Sequence, residues 1–191
     1  MESQCTNRTA ATKTNDTPRI YVASLSDYNA GRLHGCWIDA NQPVEDIREE
    51  IDRMLAQSSE PPAEEWAIHD YENFGTLRIS EFEDLERLAE VARLMDEHGP
   101  LFAELVSHFG DTSNVDEARR YMEEAYRGAF NSLGDYASDL IDDCYSDVLK
   151  NLPDFIRYHI DYDGIGRDME LGGDIFTVSH DGNLHVFDAQ I

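Results

Sequence analysis

Lysine is almost missing from this sequence: Lys13 and Lys150 stand beside thirteen arginines, and together they face 40 Asp and Glu, a formal net charge of -25 over 191 residues. A surface so short of cations cannot neutralise phosphates, which excludes direct binding to DNA, RNA or an anionic membrane. Cysteine is scarce as well. Cys5, Cys36 and Cys144 are odd in number and unpatterned, with no Cys-x-x-Cys pair and no secretory leader ahead of them, which points to free thiols in a reducing cytoplasm. No apolar run approaches the ~20 residues that cross a bilayer. The glycine-rich phosphate loop, the nucleophile elbow of hydrolases, the dinucleotide-binding turn and the His-Glu-x-x-His metal motif are all lacking. His34, His69, His98, His108, His159, His180 and His185 form no zinc-type pair. The reading is therefore of a protein that is not an enzyme, with no catalytic residue, no cofactor and no metal.

What is present is enough to fold, since 41% of the residues are hydrophobic and 10% aromatic, far above an acidic disordered tail. Residues 1–17 read as a disordered leader whose Glu2 and Asp16 cancel Arg8 and Lys13. Residues 18–79 read as an N-terminal α+β domain. Strands are predicted at Arg19–Leu25, His34–Asp39 and Glu65–Asp70, with a helix after Pro43 whose Val44, Ile47, Ile51, Met54 and Leu55 share one face. Residues 80–115 read as a central helical domain. Ser80 and Glu83 form a capping box, followed by a helix carrying Phe82, Leu85, Leu88, Ala89, Ala92 and Met95. A second helix runs from Pro100 to Gly110.

Residues 116–191 read as a C-terminal α+β domain of mixed helices and a short antiparallel sheet. A third helix carries Ala118, Tyr121, Met122, Ala125, Tyr126 and Phe130, and a fourth, from Asp135, carries Leu140, Ile141, Cys144, Val148 and Leu149. Pro153–Ile160 is a short helix, and Asp181-Gly182 is the turn of a closing hairpin. The fold class expected is α+β. Asp161-Tyr162-Asp163-Gly164-Ile165-Gly166 resembles the start of a calcium loop but lacks the position-five ligand and the closing carboxylate, Gly172 standing in that place.

The carboxylates themselves are the informative feature, because no region is spared. Residues 39–65 hold nine acids against Arg48 and Arg53, residues 81–104 eight against Arg87 and Arg93, and residues 116–147 nine against three arginines. Self-repulsion on this scale opposes compaction and needs a reason. One is salt adaptation, an acidic structural or adaptor protein with no DNA-enzyme target. The other is imitation of a polyanion: at one charge per ~1.7 Å of B-DNA, the 38 acids beyond residue 17 match about 65 Å or about 19 base pairs of duplex, and two copies about 40. The candidate contact residues are helix-surface acids: Glu45, Asp46, Glu49, Glu50 and Asp52; Glu83, Glu86 and Glu90; Asp116, Glu117, Glu123, Glu124, Asp135, Asp139, Asp142, Asp143 and Asp147. Tyr21, Trp37 and Trp66 are assigned to packing.

The segments Arg19-Ile20-Tyr21-Val22-Ala23-Ser24-Leu25-Ser26-Asp27-Tyr28-Asn29-Ala30-Gly31-Arg32-Leu33-His34-Gly35-Cys36-Trp37-Ile38-Asp39, Glu64-Glu65-Trp66-Ala67-Ile68-His69-Asp70-Tyr71-Glu72 and, more loosely, Tyr158–Asp168 carry a likeness. From about Pro18 onward the chain resembles the ArdA antirestriction proteins of plasmids and conjugative transposons, which mimic DNA to type I restriction–modification enzymes. The resemblance implies a curved, elongated row of three small domains that dimerises through the C-terminal one. It also implies that the target is the methyltransferase core of specificity and modification subunits, so that restriction and modification are both blocked. Residues 116–147 resemble the stretch that such proteins use as an antirestriction motif.

Overall fold

The structure, a computed structural model, describes residues 17–191; the expected leader, Thr17 apart, lies outside the described residues. The class is α+β. Two compact units divide within the first turn of one helix, the first running to Asp116 and the second spanning Glu117–Ile191.

The first unit opens with β1 (Arg19–Ser24), a short α1 (Leu25–Asn29), β2 (Gly35–Asp39), α2 (Val44–Leu55) and β3 (Trp66–Glu72). The strands form an antiparallel sheet in the order β2-β1-β3. Alternation along the strands sets its inner face: Ile20 pairs with Ile38 and Val22 with Cys36, and all four are buried. Ile47, Ile51 and Met54 recur at helical spacing on α2 and are buried where it packs on β1 and β2. The helix α1 was not expected. Ser24 caps it, its Oγ accepting from the Asp27 amide at 3.3 Å.

α3 (Leu85–His98) and α4 (Leu101–Phe109) complete this unit, burying Leu88, Val91, Leu94, Phe102, Ala103 and Leu105. The expected capping box is corrected in part. Ser80 does donate its amide to Glu83 at 3.0 Å, but the helix starts later, with Asp84 as cap accepting from the Arg87 amide at 3.1 Å. Phe82 therefore precedes the helix and is exposed rather than on its buried stripe.

The second unit contains most of α5 (Val115–Glu124), then β4 (Tyr126–Phe130), α6 (Leu133–Asn151), α7 (Asp154–Arg157), α8 (Tyr162–Gly172), β5 (Ile175–His180) and β6 (Asn183–Asp188). The sheet order is β4-β6-β5, antiparallel throughout. The expectation that the third helix runs on to Phe130 fails: α5 ends at Glu124, and Tyr126–Phe130 pair with β6 instead. Gly128 at φ 126°, beside a register shift, suits a bulged strand and not a helix. The Asp181-Gly182 turn has φ of 48° and 79° and joins β5 to β6 as a tight hairpin.

α6 departs from its predicted stripe. Ser132 caps it, accepting from the Asp135 amide at 3.0 Å, and Tyr136 with Ala137 supply its buried contacts. Leu140 packs against the core cluster of Tyr136, Ile175 and Val186, whereas Cys144 and Val148 are exposed. Tyr145 has non-helical dihedrals (φ -126°, ψ 22°), so the face that begins against the sheet does not continue along the second half of the helix. The Asp161 loop that resembled a calcium site is the start of α8: Asp161 accepts from the Gly164 amide at 2.9 Å as its cap.

Candidate functional site

Apart from Glu83, which precedes α3, the expected contact residues sit on helices in both units, each unit presenting its own set. On α2, apolar residues at every third or fourth position turn inward, which leaves Glu45, Asp46, Glu49 and Asp52 exposed. Glu50 is half-buried, accepting from the Gln42 amide at 3.1 Å. On α5 and α6 the same logic exposes Asp116, Glu117, Glu123, Glu124, Asp135, Asp139, Asp142, Asp143 and Asp147.

Glu83, Glu86 and Glu90 are engaged internally as well. Glu83 accepts from Ser80 and from the Thr112 hydroxyl at 2.5 Å. Glu86 pairs with Arg48 of α2, and Glu90 with Arg93 at 2.9 Å. Elsewhere, too, the cations are spent close to home. Arg19 pairs with Glu72, Arg32 with Glu60, Arg127 with Asp188, Lys150 with Asp147 and Arg157 with Asp154. By contrast Glu45, Asp46, Glu49, Asp52, Glu117, Glu123, Glu124, Asp135, Asp139, Asp142 and Asp143 have no ion-pair partner among the described residues.

α6 shows the cost of that arrangement. Asp135, Asp139 and Asp143 recur every fourth residue along one side, and like charges at that spacing oppose a helix by ~0.2–0.5 kcal/mol per pair. Only the first of them, next to the helix start, is favoured by the macrodipole. Successive members lie ~6 Å apart along the axis, near two phosphate steps of ~3.4 Å on one DNA strand.

Sequence periodicity did not single out Asp168 and Asp174, which are exposed in α8 and just before β5; acids at helix ends and turns carry no repeating signal. Several other polar groups serve the fold. His34 donates from Nε2 to the Met54 carbonyl at 2.7 Å, at the end of α2, where that oxygen also accepts from the Gln57 amide. Arg127 holds the Asp188 carboxyl below the usual carboxylate range, and burial pushes the His108 imidazole down. Among the described residues no His, Cys, Asp or Glu cluster is arranged to hold a metal ion, and no helix is long and apolar enough to cross a membrane.

A search of curated proteins finds no match to the chain. The sequence model of the antirestriction protein ArdA does match, over residues 20–182, from the first residues of β1 into the β5–β6 turn. With so much of its length accounted for, this chain belongs to the ArdA antirestriction protein family.

Proposed function

We propose that this antirestriction protein works as a mimic of B-form DNA, occupying the DNA-binding groove of type I restriction–modification enzymes in the cytoplasm. The observation that carries the reading is the surplus of unpaired carboxylates on helix surfaces of both units, kept although it opposes folding. A basic groove evolved for phosphates releases its counterions to such a surface as it does to DNA, without reading base edges. The methyltransferase core of specificity and modification subunits is the target, so modification is blocked along with restriction. No chemical step is required.

A homodimer through the C-terminal region belongs to the same proposal. It is supported by large apolar side chains that the second unit leaves open, among them Phe155 at 73% and Leu171 at 78% exposure, with Tyr145, Val148 and Tyr158. The division of the chain into functional domains at 18–79, 80–115 and 116–191 is part of the proposal too.

The test is displacement. A type I methyltransferase is bound to a fluorescent duplex and titrated with this protein at two salt concentrations. Stoichiometric release that weakens as salt rises is the expected result. No release at any salt would overturn the proposal and leave the acidity to salt adaptation.

A further inference from the structure

The second unit carries a depression of about 430 Å³ lined by β4, α6, α8 and the β5–β6 hairpin with its flanks. Its floor is apolar, made by Phe130, Leu140, Met169 and Ile175. The first three are only partly covered as they pack on the core cluster. Its rim is acidic. Asp139 and Asp143, one turn apart on α6, share it with Asp174 and Asp188. The cation at that rim, Arg127, is already held by Asp188 at 2.8 Å, and Asp174 accepts from the Gln190 side-chain amide at 3.1 Å. Asp139 and Asp143 remain without a cation among the described residues.

Tyr136 brings a hydroxyl to this depression. It lines the depression with 7% of its surface exposed, and its hydroxyl has no hydrogen-bond partner among the described residues. Its oxygen is not closed off in the core but opens to the depression, where a group that comes from outside can reach it. Burial raises its pKa, and Arg127 and Asp188 line the same depression.

We propose that this depression is a socket for one arginine side chain of the protein that the acidic surface engages. A guanidinium is flat, weakly hydrated and rich in donors set in a fixed fork, so its stem can lie on Leu140 and Met169 while its N–H groups reach Asp139, Asp143 and the Tyr136 oxygen. A lysine ammonium is compact and strongly hydrated and uses the apolar floor less well. An anion meets four carboxylates here, and an apolar ligand would leave the Tyr136 hydroxyl unpaired. This inference rests on the reading of the protein as a ligand of a basic enzyme groove, and adds one fixed anchor to a distributed field.

The full chain is titrated with N-acetyl-arginine amide, and separately with N-acetyl-lysine amide, while backbone and methyl NMR signals are followed. Saturable shifts centred on Tyr136, Leu140 and Met169, stronger for arginine and abolished by Gln190→Trp, are expected; that variant fills the mouth without changing charge. Unsaturated shifts spread over acids of both units would overturn the socket. In the displacement assay, Asp139→Asn with Asp143→Asn loses about tenfold in affinity, as a small number of anchors carries most of an interface. Glu45→Gln with Glu49→Gln removes the same charge from exposed α2 positions and loses about twofold, as rim charges do. Equal losses overturn the socket while leaving DNA mimicry intact. Failure of the unaltered chain to displace DNA overturns the mimicry reading instead, and the titration still decides the socket.

Discussion

Gly166 of α8 lies directly against the main chain of Leu133 at the start of α6: a Cβ at this position would collide with the Leu133 carbonyl oxygen and carbon. Gly134 makes a matching approach to Asp163, so the two helices cross where each offers a glycine. The difference between the obstacles is useful. Gly166 faces a backbone, which must move, whereas Gly134 faces chiefly a carboxylate on a rotatable side chain. Gly166→Ala is expected to destabilise the second unit by ~1–3 kcal/mol, as overpacking does, and Gly134→Ala by less. Thermal unfolding of the two variants checks the order; equal effects would mean that the helix crossing is free to adjust.

Asp27 holds the loop after α2. It is buried, and its carboxylate accepts from the Ser58 hydroxyl at 2.5 Å and the Ser59 hydroxyl at 2.9 Å, with Arg32 at 3.6 Å. The Ser58 bond is the chief cause holding its pKa well below the usual carboxylate range. A lowered folded-state pKa means that the stabilisation is complete above the unfolded value of ~3.9. It is lost as pH falls through the lowered folded value. Asp27→Asn is expected to reduce the melting temperature by several degrees at pH 7 and to flatten its fall below pH 4. A variant with the unaltered acid slope would show that other carboxylates govern acid unfolding.

That latch also shows what the sequence could and could not disclose. The strands around Ile20, Ile38 and Ile68 and the faces of α2, α3 and α4 were legible because local alternation decides them. The partnership of Asp27 with Ser58 was not, since it joins residues 31 positions apart. β4 was misread because Ala118, Met122 and Ala125 continue at helical spacing toward Tyr126, and only pairing with β6 decides the segment. At the candidate surface, exposure of the α2 acids followed from periodicity. The internal use of Glu83 and Glu86 did not, because their partners Thr112 and Arg48 come from other elements.

The apolar surface around α7 gives a prediction about assembly. Phe155 and Tyr158 are both 73% exposed, and Leu171 of α8 is 78% exposed; burying such side chains between copies removes apolar area from water at ~25 cal/mol per Å². Phe155→Ser combined with Tyr158→Ser is expected to convert the proposed dimer to a monomer in sedimentation equilibrium while leaving the melting temperature of the first unit unchanged. A dimer of unaltered affinity would place the interface elsewhere.

Charge neutralisation separates a distributed mimic from a conventional hot spot. Glu45, Asp46, Glu49 and Asp52 are exposed on one helix and have no ion-pair partner among the described residues. Each exposed charge is worth under about 1 kcal/mol, so changing any one of them to its amide should barely alter displacement of a type I methyltransferase from DNA. Changing these four together with Glu50 removes five charges from a contiguous stretch of the proposed mimetic surface. The affinity should then fall by much more than any single change produces. Its logarithm should also depend less steeply on the logarithm of salt concentration, because fewer cations of the target groove are neutralised and fewer counterions released. The slope is the sharper readout, since misfolding would abolish activity without flattening it in proportion to the charge removed. If the block variant keeps the original slope, α2 lies outside the interface and the contact is confined to the acids of the second unit.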